Sequence, residues 1–304
     1  MHKYILGGGI SGLIYAYYNR YYIVSDSIGG QMSSAFSLGP RYLHHTDNSL
    51  NFLKELNIDY STEEVKVGFL SDEGWVEDPD NSFREKYFLK SRNLKKLNSV
   101  YDSTVMNSNK RKFKILSVDF NDLIEELINK VKSRIINGRV VRINCEKKFF
   151  DIENINDDRI DRLYYDELVS TIPLNIFCDI SNECNYDLKS YSMTYVLVDK
   201  SFYDLKDYNF VYDIRMNVRS HRMTLDPSGI VLDLFGSISE KELKKLYKNY
   251  ISSTIIPNAQ IISRDDLKLN LKSVKFIGRY GTWNRSWKID KVLDVAINDS
   301  KSQK

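Results

Sequence analysis

Tyr4-Ile5-Leu6-Gly7-Gly8-Gly9-Ile10-Ser11-Gly12-Leu13 places an apolar run of strand type directly before Gly7-x-Gly9-x-x-Gly12. A helical stretch over residues 11 to 18 follows, then a second apolar run over residues 21 to 24. This is the opening of a β-α-β unit that binds a dinucleotide. Each glycine has a mechanical task there: Gly7 permits the tight turn, Gly9 lets the backbone approach a pyrophosphate, and Gly12 lets the helix pack on the sheet. The helix start at Ile10 and Ser11 offers free N–H groups and a favourable dipole to an anion. An acid about twenty positions further on is wanted for a ribose hydroxyl, and Asp26 stands there. Tight turns use glycine for other reasons too, but here a strand precedes the triplet, a helix follows it and the acid is near the right distance. The unit is compressed, so either Ser25 or Asp26 ends the return strand.

Beyond that strand comes Ile28-Gly29-Gly30-Gln31-Met32, a glycine pair suited to a loop lying against a cofactor or to an ordinary turn. Next is Leu38-Gly39-Pro40-Arg41-Tyr42-Leu43-His44-His45-Thr46-Asp47-Asn48, before an apolar-periodic helix over residues 49–56 that Asp47 or Asn48 would cap. Near the other end, Val274-Lys275-Phe276-Ile277 reads as a short strand. It is followed by Gly278-Arg279-Tyr280-Gly281-Thr282-Trp283 and by Trp287-Lys288-Ile289-Asp290, which opens a helix.

In this order the motifs resemble UDP-galactopyranose mutase, within the wider flavoprotein group that includes amine oxidases and protoporphyrinogen oxidases. The resemblance implies FAD as cofactor. It implies that His44 or His45 faces the flavin ring, with Arg41 beside them where the mutases have a histidine after Gly-Pro. It implies that the backbone of Val140 faces adenine, that Thr171 lies near the cofactor and that Gly278 and Arg279 contact it. The helix start at Ile289 and Asp290 would aim at the pyrimidine side of the ring, where its dipole favours negative charge. Trp283 stands where the family has a tyrosine at the substrate. Trp287-Lys288-Ile289-Asp290 replaces a Tyr-Asp-Met-Asp type segment, and these two changes leave the substrate open.

Between the motifs, residues 61–112 change character, with extended runs over 65–70 and 74–76 and a charged stretch from 82 to 112 in which Lys90 and Arg92 are candidates for an anionic group. Helical periodicity returns with Leu123, Ile124, Leu127, Ile128 and Val131, capped by Asp119 or Asn121. Strands are expected at 139–143, 149–152, 192–199, 210–214 and 229–235, and a buried one ahead of Thr171-Ile172-Pro173. The basic segment Arg219-Ser220-His221-Arg222, read as extended, puts Arg219 and His221 on one side and Arg222 on the other. Arg222 suits a phosphate or carboxylate, or it belongs to an exposed basic strand.

The chain's 304 residues and 42% hydrophobic content allow a full core. The expected fold is α/β: a Rossmann-like FAD-binding domain, a parallel sheet with a β-meander crossover, formed by 1–60, 113–180 and 265–304, plus a smaller α+β substrate domain from 61–112 and 181–264. A net charge of +3, from 44 basic and 41 acidic residues, carries no polycation signal for nucleic acid. Cys145, Cys178 and Cys184 form no metal-ligand pattern, and their odd number argues against a disulfide framework and for a reducing cytoplasm. No apolar stretch approaches the roughly eighteen residues of a membrane span. With no nucleophile triad or carboxylate dyad evident, the expected chemistry is the cofactor's own: an FAD-dependent oxidoreductase taking a hydride from a small or nucleotide-linked substrate. The alternatives are a mutase-like isomerase using reduced flavin as nucleophile, and a flavin-binding partner protein without turnover.

Overall fold

In the computed structural model, which describes residues 2–32, 38, 42–77, 79–90, 112–155, 157, 159–262, 267, 269, 271 and 273–302, the opening motif becomes β1 (Lys3–Gly9), α1 (Ile10–Asn19) and β2 (Tyr22–Gly29). The chain continues through β3 (Leu43–His44), α2 (Asp47–Glu55), β4 (Tyr60–Ser71), β5 (Gly74–Trp75), α3 (Asn81–Lys90), β6 (Lys112–Val118) and α4 (Phe120–Val131). Then come β7 (Ile135–Asn144), β8 (Phe149–Asn154), β9 (Ile160–Tyr164), β10 (Glu167–Ser170) and α5 (Leu174–Ser181). The rest is β11 (Ser190–Val198), β12 (Phe210–Asp213), β13 (Arg222–Asp226), β14 (Gly229–Phe235), α6 (Glu240–Leu246), β15 (Tyr250–Ile261), β16 (Val274–Phe276), α7 (Gly278–Gly281) and α8 (Ile289–Ser302).

Two sheets result. The first runs in the order β16-β10-β1-β2-β7-β8-β9. Its neighbours are parallel from β16 to β7, after which β8 and β9 fold back antiparallel. Parallel strands need both faces covered, and period-two alternation sorts the side chains accordingly. Ile5 and Ile23 join the core with Leu13 of α1, Leu123 and Leu127 of α4 and Leu293 of α8. Tyr4, Leu6 and Val24 face the other core, with Phe150, Phe177 and Phe276. α4 is held at its start by Asp119, one of the two caps its pattern offers, whose carboxylate accepts the N–H of the other, Asn121, at 2.7 Å.

The second sheet runs β15-β11-β14-β13-β12-β4-β6-β3, with β5 paired to β4. It takes in more of the chain than the middle segments alone, because β3 and β6 pair with each other at Leu43↔Leu116 and β6 pairs with β4. One local expectation changes. The cap of α2 is Thr46, not Asp47 or Asn48: its backbone is extended and its hydroxyl accepts the Ser49 N–H at 3.1 Å. The charged stretch, given no element by its pattern, opens with the helix α3, which Lys90 ends.

The cysteine reading is also corrected. Cys178 and Cys184 are joined in a disulfide, and Cys145 is left free and buried. The pairing is local: α5 stops at Asn182, whose left-handed backbone (φ 56°) turns the chain so that the two Cα atoms lie 5.0 Å apart. A single short-range pair needs no framework, so the odd count excluded nothing. Reducing it is expected to lower stability by about 2 kcal/mol by releasing the closed loop in the unfolded state. Urea denaturation with and without dithiothreitol checks this, and a Cys178→Ser/Cys184→Ser variant should be insensitive to the reductant. Among the described residues no group of His, Cys, Asp and Glu could hold a metal ion, and no helix is long and apolar enough to cross a membrane.

Candidate functional site

The glycine turn is packed without slack on one side and open on the other. Gly7 has φ +105°, a backbone open to glycine, and a Cβ there would stand 2.6 Å from the Thr171 hydroxyl oxygen. That hydroxyl lies 3.0 Å from the Leu6 carbonyl and 3.1 Å from the Gly7 carbonyl, to which it donates, so Thr171 fastens the β10–α5 loop to the turn. A Cβ on Gly12 would overlap the Gly7 carbonyl oxygen. Gly9 is the opposite case. It is the N-cap of α1 with no side-chain cap bond, and among the described residues nothing beyond its chain neighbours lies within 4 Å of where its Cβ would be. The N–H groups of Ile10 and Ser11 belong to the first turn of this uncapped helix, beside open space: the arrangement that holds an anion.

Other expected residues gather at the same end of the parallel strands. The β1–β2 register steps from Leu6↔Val24 to Gly8↔Ile28, so residues 25–27 form a bulge and neither Ser25 nor Asp26 ends the strand. Asp26 stands exposed on that bulge. Val140 lies three residues past Asn137, the last position where β7 pairs with β2. Gly29 pairs with Gly9, and a Cβ on Gly30 would come within 3.2 Å of the Gly9 Cα. The side chain of Gln31 points elsewhere: its amide donates to the Pro257 carbonyl (3.1 Å) and accepts from the Tyr280 hydroxyl (2.6 Å).

The C-terminal motif closes over the N-terminal one. The Ile277 N–H donates to the Ser170 carbonyl at 3.0 Å, and a Cβ on Gly278 would meet the Ser11 hydroxyl oxygen at 2.6 Å. Arg279 is half-buried in α7. His44 approaches the start of α8: its Nδ1 lies 3.6 Å from the Asp290 carboxylate and its Nε2 3.4 Å from the Lys288 ammonium, while Tyr42 stacks on the ring. His45 is exposed. Arg41, Gly39, Pro40 and Arg92 lie outside the described residues. Trp283 is 1% exposed, in the core that also holds Leu6 and Phe276, and its indole N–H has no partner among the described residues.

The basic segment divides differently from its strand reading, because the strand begins only at Arg222. Arg219 turns outward to Glu242 (2.7 Å). His221 is buried, and burial holds its pKa well below the ordinary value, with the Arg222 charge adding to the effect. Arg222 pairs with the buried carboxylate of Asp233, directly opposite on β14. Register places them in one row across the larger sheet, with Tyr195 beyond Asp233 and Tyr212 beyond Arg222. Burial pushes the Tyr195 hydroxyl up to about 12, with the Asp233 charge adding and the charges of Arg222 and Arg279 opposing. Tyr195, Asp233 and Tyr212 were missed in the sequence, where cross-strand neighbours are invisible without the register.

No protein-family model matches the chain, and no curated protein matches it. Solved structures do. Reduced UDP-galactopyranose mutase superposes with a TM-score of 0.68 at 11% identity, over 100% of this chain and 96% of that one. Wild-type putrescine oxidase bound to putrescine gives 0.64 at 10% identity, covering 100% and 99%. The glycerol-3-phosphate dehydrogenase of Bacillus halodurans complexed with FAD gives 0.58 at 10% identity, covering 100% of this chain and 64% of that one. At such identities the likeness is one of architecture, and the chain has the fold of the flavoprotein group that includes UDP-galactopyranose mutase and putrescine oxidase.

Proposed function

We propose that the chain binds FAD and is an FAD-dependent oxidoreductase of the amine-oxidase-like group, acting on a small or nucleotide-linked substrate. The observation that carries this reading is the open space at Gly9, before an uncapped helix start, backed through Ser11 by Gly278 of the C-terminal motif. The Rossmann-like domain, in this reading, comprises the sheet from β16 to β9 with its helices, and the larger sheet forms the substrate domain. Ile10 and Ser11 would donate to the diphosphate and Asp26 would accept from a ribose hydroxyl. Val140 would border the adenine, and Arg279 and the α8 start at Ile289 and Asp290 would face the ring.

When bound, flavin supplies hydride acceptance at its N5. The chain's own task is to bind, orient and exclude water. His44, held between Asp290 and Lys288, orders the approach to α8. The row Tyr195, Asp233, Arg222 and Tyr212 supplies a polar wall for the substrate. Because Asp233 offsets Arg222, that wall favours a neutral or mixed-charge group over a bare anion.

A visible spectrum of the purified protein, with extraction of its cofactor, tests the reading: one FAD per chain is expected. A colourless protein that takes up no FAD on incubation would refute it. Anaerobic bleaching by a substrate identifies the oxidoreductase, whereas activity only after prior reduction identifies the isomerase.

A further inference from the structure

β15 is the strand through which the chain leaves the larger sheet before β16 enters the smaller one. Its ladder with β11 breaks near the end: Met193 pairs with Ile256, but Tyr191 pairs with Gln260. Residues 257–259 bulge out, as Pro257 has no N–H to give the ladder and Asn258 takes a left-handed backbone, φ +53°. The carbonyls released by the bulge are taken by the other half of the molecule. The Gln31 amide donates to the Pro257 carbonyl at 3.1 Å. The Tyr280 hydroxyl lies 3.0 Å from the Ala259 carbonyl and 2.6 Å from the Gln31 Oε1, one proton between two acceptors. With the Gln260 amide assigned so that its oxygen faces Arg285, both terminal nitrogens of Arg285 donate to that oxygen, at 2.6 and 2.9 Å. Gln31 directly follows Gly30, which abuts Gly9.

We infer that Gln31 and Tyr280 are positioning residues: they clasp the β15 bulge to the loop beside Gly9, so that filling the cradle at Gly9 steadies the larger sheet over it. This rests on the FAD reading above. A group occupying the space at Gly9 restrains Gly30, Gly30 restrains Gln31, and Gln31 with Tyr280 holds two carbonyls that have no place in the β11–β15 ladder. In the empty protein the same contacts depend on one shared hydroxyl proton and one amide, so the bulge opens more readily.

Amide hydrogen exchange on the apoprotein, with and without added FAD, tests the inference after flavin absorbance has established binding. In the wild type, FAD is expected to slow exchange over residues 259–261 by about tenfold or more. Tyr280→Phe, which keeps the ring, and Gln31→Ala are expected to bind FAD and keep the FAD-dependent protection of the α1 first turn while losing the slowing over 259–261. The same slowing in both variants would overturn the clasp. So would loss of FAD binding in either, which would make that side chain a cofactor contact instead. Wild-type protein that takes up no FAD fails the earlier absorbance step and overturns the functional reading with it.

Discussion

Gly9→Asp is expected to give a folded, colourless protein. The space around the Gly9 Cβ position is open, and its backbone, φ −71° and ψ 173°, suits any residue. The side chain therefore fits the empty chain, and aspartate is among the preferred N-cap residues. Its carboxylate would occupy the place proposed for the diphosphate. Two like charges about 4 Å apart at an effective dielectric near 20 repel by about 4 kcal/mol, roughly a thousandfold in affinity. Flavin fluorescence titration gives the affinity, and circular dichroism confirms the fold. Gly12→Ala is the counterpart: its methyl would overlap the Gly7 carbonyl, so misfolding is expected regardless of cofactor. An aspartate variant binding FAD within tenfold of the wild type would remove the diphosphate from this position.

Arg222→Met is expected to cost about 3–5 kcal/mol of stability, the usual penalty for leaving a buried charge without its partner. Asp233 is 1% exposed, burial pushes its pKa up, and Arg222 is the group that opposes the push. Without Arg222 the carboxyl should bind a proton in the folded chain at a pH where the unfolded chain has released it. The contribution of such a group is complete below the unfolded pKa, falls as pH rises from there, and is lost once pH has passed through the folded pKa. The variant should therefore gain stability from pH 8 to pH 5. Replacing Asp233 by leucine as well should recover most of the loss and abolish the pH dependence. Urea midpoints across this range decide it: a single variant as stable as the wild type at pH 8 would mean that Asp233 has another partner.

The β-α-β opening was legible in the sequence because its signals are local. A glycine triplet between strand and helix dictates its own turn, and the helix periodicity of residues 120–131 needs no partner to be read. The larger sheet was harder. The Arg222–Asp233 pair depends on β13 meeting β14 in a given register, and a one-residue slip would send Arg222 to the other face. The basic segment misled because the chain bends at Arg219 and His221, ahead of the strand at Arg222, and so breaks the alternation assumed from Arg219 onward. The disulfide turned on Asn182 adopting a left-handed backbone, which composition does not signal. For Gln31 the local sequence leaves a cofactor loop and an ordinary turn equally open, because its neighbours on β15 lie more than two hundred positions away.

Gly278 backs onto Ser11, and β16 covers β10 at the rim of the smaller sheet. The cradle at Gly9 is thus finished by a stretch far along the chain from it. Until residues 274–281 emerge, β10 offers a bare edge and Phe177 lacks its neighbour Phe276, so a chain stalled there is a template for aggregation. A copy cut short before residue 274 would keep the glycine turn yet lack Gly278 behind Ser11.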